Sequence, residues 1–262
     1  MHPKTVYFIG AGPGDPDLIT VKGRDIIRRA DLVLYAGSLV PSRVVEQASE
    51  RAEVADSSSM TLEQTHERML QTVRRSGTVA RVHTGDPSLF GAVQEQIRLL
   101  ERDGIDYRIV PGVTAAFAAA AEAGVSFTLP EKTQSLILTR LAGRTPVPEQ
   151  ENLEELARHG SALALYLSAS RAAEVQDKLL QGGYPAETPI VAAFRIGWPE
   201  QRLLRCRLSE LASQVEAAEL RRQTVFLVLP GQDEDTAASK LYSPDFEHGY
   251  RSRTDSSGQP HD

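Results

Sequence analysis

Val6-Tyr7-Phe8-Ile9-Gly10-Ala11-Gly12-Pro13-Gly14-Asp15-Pro16 runs four apolar residues straight into a turn built of glycine and proline. An apolar run this short, closed by turn residues, reads as a buried strand. A helix pattern follows near Val21 to Arg29, then a strand at Leu32 to Tyr35 and a helix near Pro41 to Ser49. Strands that alternate with helices need crossover connections, which implies α/β architecture with a largely parallel sheet.

The same alternation continues outward. Thr61 and Gln64 form a capping-box pattern before a helix whose Leu62, His66, Met69 and Val73 share one face, and Gly77 ends it. His66 reads as a boundary residue of that face and not as a ligand. Val79 to His83 is the next strand, a helix after Phe90 runs to about Asp103, and Tyr107 to Val110 closes a first α/β unit. Pro111-Gly112 then turns into Thr114 and the alanine-rich segment Ala115 to Ala123, stopped by Gly124. Beyond Pro130 the strands Ser135 to Thr139, Ala162 to Leu167, Ile190 to Arg195, Leu203 to Cys206 and Val225 to Leu229 recur with fewer helices between them, which predicts a mixed sheet. The expected division is an N-terminal α/β domain over 1–114, an interdomain helix and linker over 115–128, a C-terminal α/β domain over 129–250, and a disordered tail over 251–262.

Composition narrows the function classes. The 262 residues are 41% hydrophobic and 24% charged, enough apolar content for one large core or two modest ones. A formal charge of −6 from 29 basic and 35 acidic side chains disfavours nucleic acid as a partner. Arginine doublets at 28–29, 74–75 and 221–222 fall near helix ends, where cations complement the dipole. The longest apolar stretches are strand-sized, well short of the roughly 20 residues of a membrane-spanning helix. The apolar run at Val6 leaves no room for a signal peptide, so a cytoplasmic protein is expected. Cys206 is the single cysteine and forms no intrachain disulfide; its setting reads as a strand end.

Three loops could carry chemistry. The first, Gly10 to Pro16, suggests a dinucleotide fingerprint, but the sixth position is Asp15 where glycine is needed. Pro13 also removes an amide donor. The turn therefore reads as a ligand rim or as an ordinary tight turn. In the second, Thr84-Gly85-Asp86-Pro87-Ser88-Leu89-Phe90-Gly91, Asp86 either binds a ribose hydroxyl or amino group or caps the helix that follows. Ligands of open α/β sheets bind outside the carboxyl ends of strands, so two Gly-Asp-Pro turns at such ends invite a shared site. The third, Val110 to Ala115, offers Thr114 as an N-cap or its helix start to a ligand carboxylate. His83 has no second ligand at metal spacing and reads as structural; no metal is expected.

These loops, in this order, resemble the class III tetrapyrrole methyltransferases, which use S-adenosylmethionine and release S-adenosylhomocysteine. Val33 to Val40, Thr139 to Pro148 and Ser239-Lys240-Leu241-Tyr242 resemble the branch that methylates precorrin-4, or its cobalt-bearing counterpart, at C11 on the route to cobalamin. The resemblance implies two α/β domains, a cofactor cleft between them, and a homodimer. It places cofactor contacts on Pro13, Thr84, Gly85, Asp86, Leu89, Thr114 and Ala115, with Leu167 at an apolar position and Ala193 at the adenine.

The substrate carries several carboxylates, so an acidic protein needs local arginines. Arg140 and Arg144 are the choices, because guanidinium grips carboxylate as a fork. Tyr35 and Ser38 are expected to line the trough, and Asp15 to steer protons or the macrocycle or to stabilise its turn. Methyl transfer from a sulfonium to an enamine-like carbon needs positioning and exclusion of water more than acid–base help, so no catalytic base is assigned. The rivals are another tetrapyrrole such as uroporphyrinogen III, another precorrin, a diphthamide precursor or ribosomal RNA as substrate, a nucleotide-binding regulatory module without chemistry, and a dinucleotide oxidoreductase.

Overall fold

The structure is a computed structural model that describes residues 4–232 and residue 246. The expected tail over 251–262 and the Ser239 to Tyr242 motif lie outside the described residues.

In chain order the elements are β1 (Thr5–Gly10), α1 (Val21–Ile27), β2 (Leu32–Tyr35), α2 (Ser42–Val45), β3 (Glu53–Asp56), α3 (Leu62–Arg74), β4 (Val79–His83), α4 (Val93–Arg102), β5 (Asp106–Val110) and α5 (Ala115–Ala123). They continue with β6 (Leu136–Arg140), α6 (Leu153–Ala157), β7 (Ala162–Tyr166), α7 (Ala172–Gln181), β8 (Pro189–Phe194), β9 (Arg202–Arg207), α8 (Leu211–Ala217) and β10 (Thr224–Val228). Among the described residues the second half carries three helices against five in the first, the thinning that the sequence pattern implies.

The first sheet has the order β3-β2-β4-β1-β5, and every pair in it is parallel. Its three central strands, β2, β4 and β1, are buried on both faces, so their alternate residues feed two cores. Tyr7, Ile9, Val33, Ala80 and Val82 pack with Ile26 and Ile27 of α1 and Val44 and Val45 of α2. Val6, Phe8, Leu32, Leu34 and Val79 pack with Met69 and Val73 of α3 and Val93, Ile97 and Leu100 of α4. Fully burying a side chain such as Phe8 or Leu34 contributes roughly 1.5–3 kcal/mol. The capping box of α3 is present: the Gln64 amide donates to Thr61 Oγ1 at 3.3 Å and the Thr61 amide to Gln64 Oε1 at 2.8 Å. His66 is buried and its Nε2 lies 2.6 Å from Oδ2 of Asp103.

The second sheet has the order β6-β7-β10-β8-β9; β6 and β7 are parallel and β7 and β10 antiparallel, so it is mixed as expected. The chain forms two compact units. One holds the described residues of Met1–Gly124 together with Ala192–Leu204 and Leu220–Val225; the other holds those of Val125–Val191, Arg205–Glu219 and Phe226–Asp262.

Candidate active site at the ends of the parallel strands

β4, β1 and β5 are neighbours in the sheet, so the loops that leave their carboxyl ends meet although they lie far apart in sequence. The crossovers from β1 and β4 depart toward opposite edges, and their helices cover opposite faces, which leaves a crevice between the two strand ends. Its floor is backbone. The Ala11 amide donates to the His83 carbonyl at 2.7 Å, the Gly85 amide to the Gly12 carbonyl at 2.7 Å, and the Gly12 amide returns to the Gly85 carbonyl at 3.3 Å. The third loop comes as close: a Cβ on Gly112 would stand 2.1 Å from the Gly85 oxygen, and one on Gly10 would stand 2.5 Å from the Gly112 Cα. Only glycine fits at either position.

Asp86 ties these loops. Its Oδ1 accepts the Ser88 amide at 2.8 Å and its Oδ2 the Gly112 amide at 2.8 Å. It does not cap the following helix, as the sequence allowed, because α4 starts only at Val93 behind Ala92 in a left-handed conformation. Partial burial opposes its ionisation, but the Ser88 hydroxyl and the Gly112 and Ser88 amides outweigh that and hold the carboxyl below its ordinary value. Asp86 therefore stays negative.

Gly85 adopts φ +61, and a Cβ built there meets only the Thr114 Cα at 3.8 Å. That recess has the start of α5 beside it. Thr114 is buried at the N-cap of α5 with no side-chain bond to the helix start, and Ala115 follows it. Thr84 is exposed and Leu89 half-buried beside them. A negative Asp86 and a Pro13 without N–H disfavour a pyrophosphate. Phe90 and Ala92 hold positive φ of 54° and 46° on either side of Gly91. Such strained backbone collects where a loop shape serves a site.

In the first loop, Asp15 Oδ1 accepts the Asp17 amide at 2.9 Å, so its carboxylate stabilises the turn. The buried Pro13 offers its carbonyl to Nε1 of Trp198 at 3.2 Å. Trp198 escaped the sequence reading, and so did Asp56. Asp56 Oδ1 accepts the Gly37 and Ser58 amides, each at 2.8 Å; those bonds, Gly37 first, hold it below the usual carboxylate value. It thereby fixes the turn that carries Tyr35 and Ser38, and the Tyr35 carbonyl accepts the Ser57 amide at 2.7 Å. Ala193 is buried in β8.

Two basic residues of β4 lie under the loops. Arg81 is buried and donates to Gln96 Oε1 at 3.0 Å, Ser57 Oγ at 2.8 Å and the Leu34 carbonyl at 3.3 Å; burial lowers its pKa to about 10. His83 is 8% exposed and its Nε2 has no hydrogen-bond partner among the described residues. Burial, with the Arg81 charge adding to it, lowers the imidazole pKa to about 3 and keeps it neutral.

Leu167, Arg140 and Arg144 belong to the other unit. Leu167, directly after β7, is 74% exposed at φ 54°, an apolar side chain held in solvent by a strained backbone. Arg140 turns back on its own loop: its Nη1 donates to the Leu141 and Thr145 carbonyls at 3.1 Å each, and its Nη2 to the Pro146 carbonyl at 2.9 Å. Arg171 braces the same loop at the Ala142 carbonyl. Arg144 is exposed on the loop they hold.

A separate cavity of about 580 Å³ lies against α1 and β5, between Val21, Lys22, Arg29 and Arg108. None of the candidate site residues lines it. The crevice remains the candidate site.

The chain is 48% identical to a precorrin-4 C(11)-methyltransferase of Pseudomonas aeruginosa over 250 residues, covering 94% of this chain and 98% of that one. It superposes on the X-ray structure of a cobalt precorrin-4 methyltransferase, a cobalamin biosynthetic enzyme, with a TM-score of 0.84 at 44% identity, covering 86% and 95% of the two chains. A uroporphyrin-III C-methyl transferase of Thermus thermophilus, solved in complex with S-adenosyl homocysteine, matches with a TM-score of 0.71 at 26% identity over 86% and 92%. The profile of the tetrapyrrole (corrin/porphyrin) methylases spans residues 5–212, which takes in all three loops: the chain belongs to the tetrapyrrole methylases.

Proposed function

We propose that this protein transfers the methyl group of S-adenosylmethionine to C11 of precorrin-4, giving precorrin-5 in cobalamin biosynthesis. The convergence of the three loops on a recess with an ionised Asp86 is the observation that carries the proposal. The near full-length similarity to a precorrin-4 C(11)-methyltransferase supports the substrate.

When bound, S-adenosylmethionine supplies a methyl group made electrophilic by its sulfonium, which a nucleophilic ring carbon takes as the S–C bond breaks and S-adenosylhomocysteine is left. The residues of this chain hold and orient. Gly85, Asp86, Thr84, Leu89, Thr114 and Ala115 form the recess for the cofactor, with Pro13, Ala193 and Leu167 as its further contacts. Tyr35, Ser38 and Asp15 face the macrocycle, and Arg144, presented by a loop that Arg140 braces, meets a substrate carboxylate. Positioning of this kind carries the transfer with little acid–base assistance, any general base removing a proton afterwards.

The family resemblance carries the homodimer and the cytoplasmic setting. Among the described residues no helix is long and apolar enough to cross a membrane. Similarity to a cobalt precorrin-4 methyltransferase supports the metal-bearing substrate as a second reading. The test is mass spectrometry of precorrin-4, cobalt-precorrin-4 and uroporphyrinogen III, each incubated with protein and S-adenosylmethionine. Gain of one methyl on precorrin-4 or its cobalt form, with none on uroporphyrinogen III, is expected. Methylation of uroporphyrinogen III alone overturns the assignment.

A further inference from the structure

We infer that Trp198 is a positioning residue for the methyl transfer: its indole N–H fixes the first loop through the Pro13 carbonyl, while Arg195 and Gln223 fix the indole and join it to the Ser38 turn. The inference rests on the function proposed above.

The two segments interlock. Pro13 and Trp198 are 185 residues apart, yet a Cβ on Gly14 would stand 2.3 Å from the indole Cδ1, and one on Gly197 would stand 2.4 Å from the Asp15 amide nitrogen. Neither loop can shift without the other. The Trp198 amide donates to the Arg195 carbonyl at 2.9 Å, and the Arg195 guanidinium carbon stands 4.8 Å from the indole centre, a cation–π contact. Arg195 is itself held from three sides. Its Nε donates to Gln223 Oε1 at 2.6 Å, its Nη1 to Glu200 Oε2 at 3.2 Å, and its amide to the Gln223 carbonyl at 2.8 Å. Gln223 Nε2 then reaches the Ser38 carbonyl at 3.0 Å.

Arg195 and Gln223 both sit in the left-handed region, at φ 48° and 50°. Side chains other than glycine hold that conformation only where their surroundings enforce it. Simple packing of an aromatic ring needs neither the strain nor the hydrogen bond to a loop carbonyl. The network instead links the Pro13 loop, a proposed cofactor contact, to the Ser38 turn, a proposed substrate contact.

Trp198 is the only tryptophan of the chain, so the wild-type protein carries its own reporter. S-adenosylhomocysteine is titrated by calorimetry and by tryptophan emission in parallel. Emission is expected to change and to saturate with the calorimetric signal. Emission that stays constant while calorimetry saturates overturns the inference and leaves the proposed function standing; no calorimetric binding at all overturns both. In Trp198→Phe, loss of one hydrogen bond should weaken S-adenosylhomocysteine binding and raise KM for S-adenosylmethionine about fivefold, with a smaller change in kcat. A variant that melts earlier but binds as the wild type does marks a purely structural tryptophan and overturns the inference.

Discussion

The Gly112 amide points at Oδ2 of Asp86 across 2.8 Å while Oδ1 of the same carboxylate takes the Ser88 amide, so one side chain sets the spacing of two loops. Both oxygens face donors. Asp86→Asn puts an NH₂ against one of them, leaving donor facing donor, which costs about 1–3 kcal/mol. The expected result is a lower urea midpoint together with at least tenfold weaker binding of S-adenosylhomocysteine, read by calorimetry. Lost stability with unchanged affinity would confine Asp86 to the scaffold.

Gly85 and Gly112 separate fold from function. A methyl on Gly112 meets the Gly85 oxygen at 2.1 Å, a backbone clash that nothing nearby can relieve. Gly112→Ala should therefore unfold or severely destabilise the protein. A methyl on Gly85 enters the recess and meets only Thr114 Cα at 3.8 Å. Gly85→Ala should lose about 1 kcal/mol from its left-handed backbone and keep its circular dichroism spectrum. Its affinity for S-adenosylhomocysteine should nonetheless fall at least tenfold, because the space is filled. Unchanged affinity in Gly85→Ala would move the cofactor away from this recess.

What the sequence made legible, and what it hid, follows from where each residue finds its partners. Strands such as Val79–His83 and the capped helix at Thr61 announce themselves through neighbours within a few residues. The meeting of the three loops was legible because parallel strands deliver their carboxyl ends to one edge. β3 was hidden: Glu53, Val54 and Asp56 are exposed and the run has no apolar pattern. α6 has five residues, and too few turns to show a period. Trp198 finds its partner 185 positions away, and Asp56 braces a turn 19 positions back. Arg140 reads from sequence as a cation on a Gly- and Pro-rich loop, but it closes β6 and its guanidinium turns onto three carbonyls of the loop that follows.

Arg140 and Arg144 should consequently behave differently. Arg140→Lys keeps the charge but cannot reach the Leu141, Thr145 and Pro146 carbonyls together, since an ammonium lacks the planar fork. Faster amide hydrogen exchange over 141–146 is expected, and KM for both substrates should rise modestly. Arg144→Ala should leave exchange in that loop as it is. Its effect should fall on KM for the tetrapyrrole alone, by about tenfold, the loss expected for one charge-assisted hydrogen bond of about 1.5 kcal/mol. Equal effects on both substrates would remove Arg144 from the proposed carboxylate contact.

His83 gives the fold a predictable weakness toward acid. Its imidazole is held neutral down to about pH 3 by burial and by Arg81, whereas in the unfolded chain it takes a proton near pH 6.5. Between those values the unfolded state binds a proton that the folded state refuses. The sign is therefore fixed: the contribution is fully present above about pH 6.5 and falls as pH drops toward 3, by about 1 kcal/mol per pH unit from this one group. Carboxylates held low by hydrogen bonds, such as Asp86 and Asp103, act in a lower window, below about pH 4. Urea unfolding between pH 6.5 and 4.5 stays above that carboxylate window, and comparison with a His83 variant separates this histidine from the others of the chain. His83→Leu, close in volume and without a proton to bind, should flatten the slope over that range. It also removes a buried nitrogen that lacks a partner, so its stability at pH 5 should exceed that of the wild type. A variant whose stability still falls with the wild-type slope would place the acid sensitivity in another group.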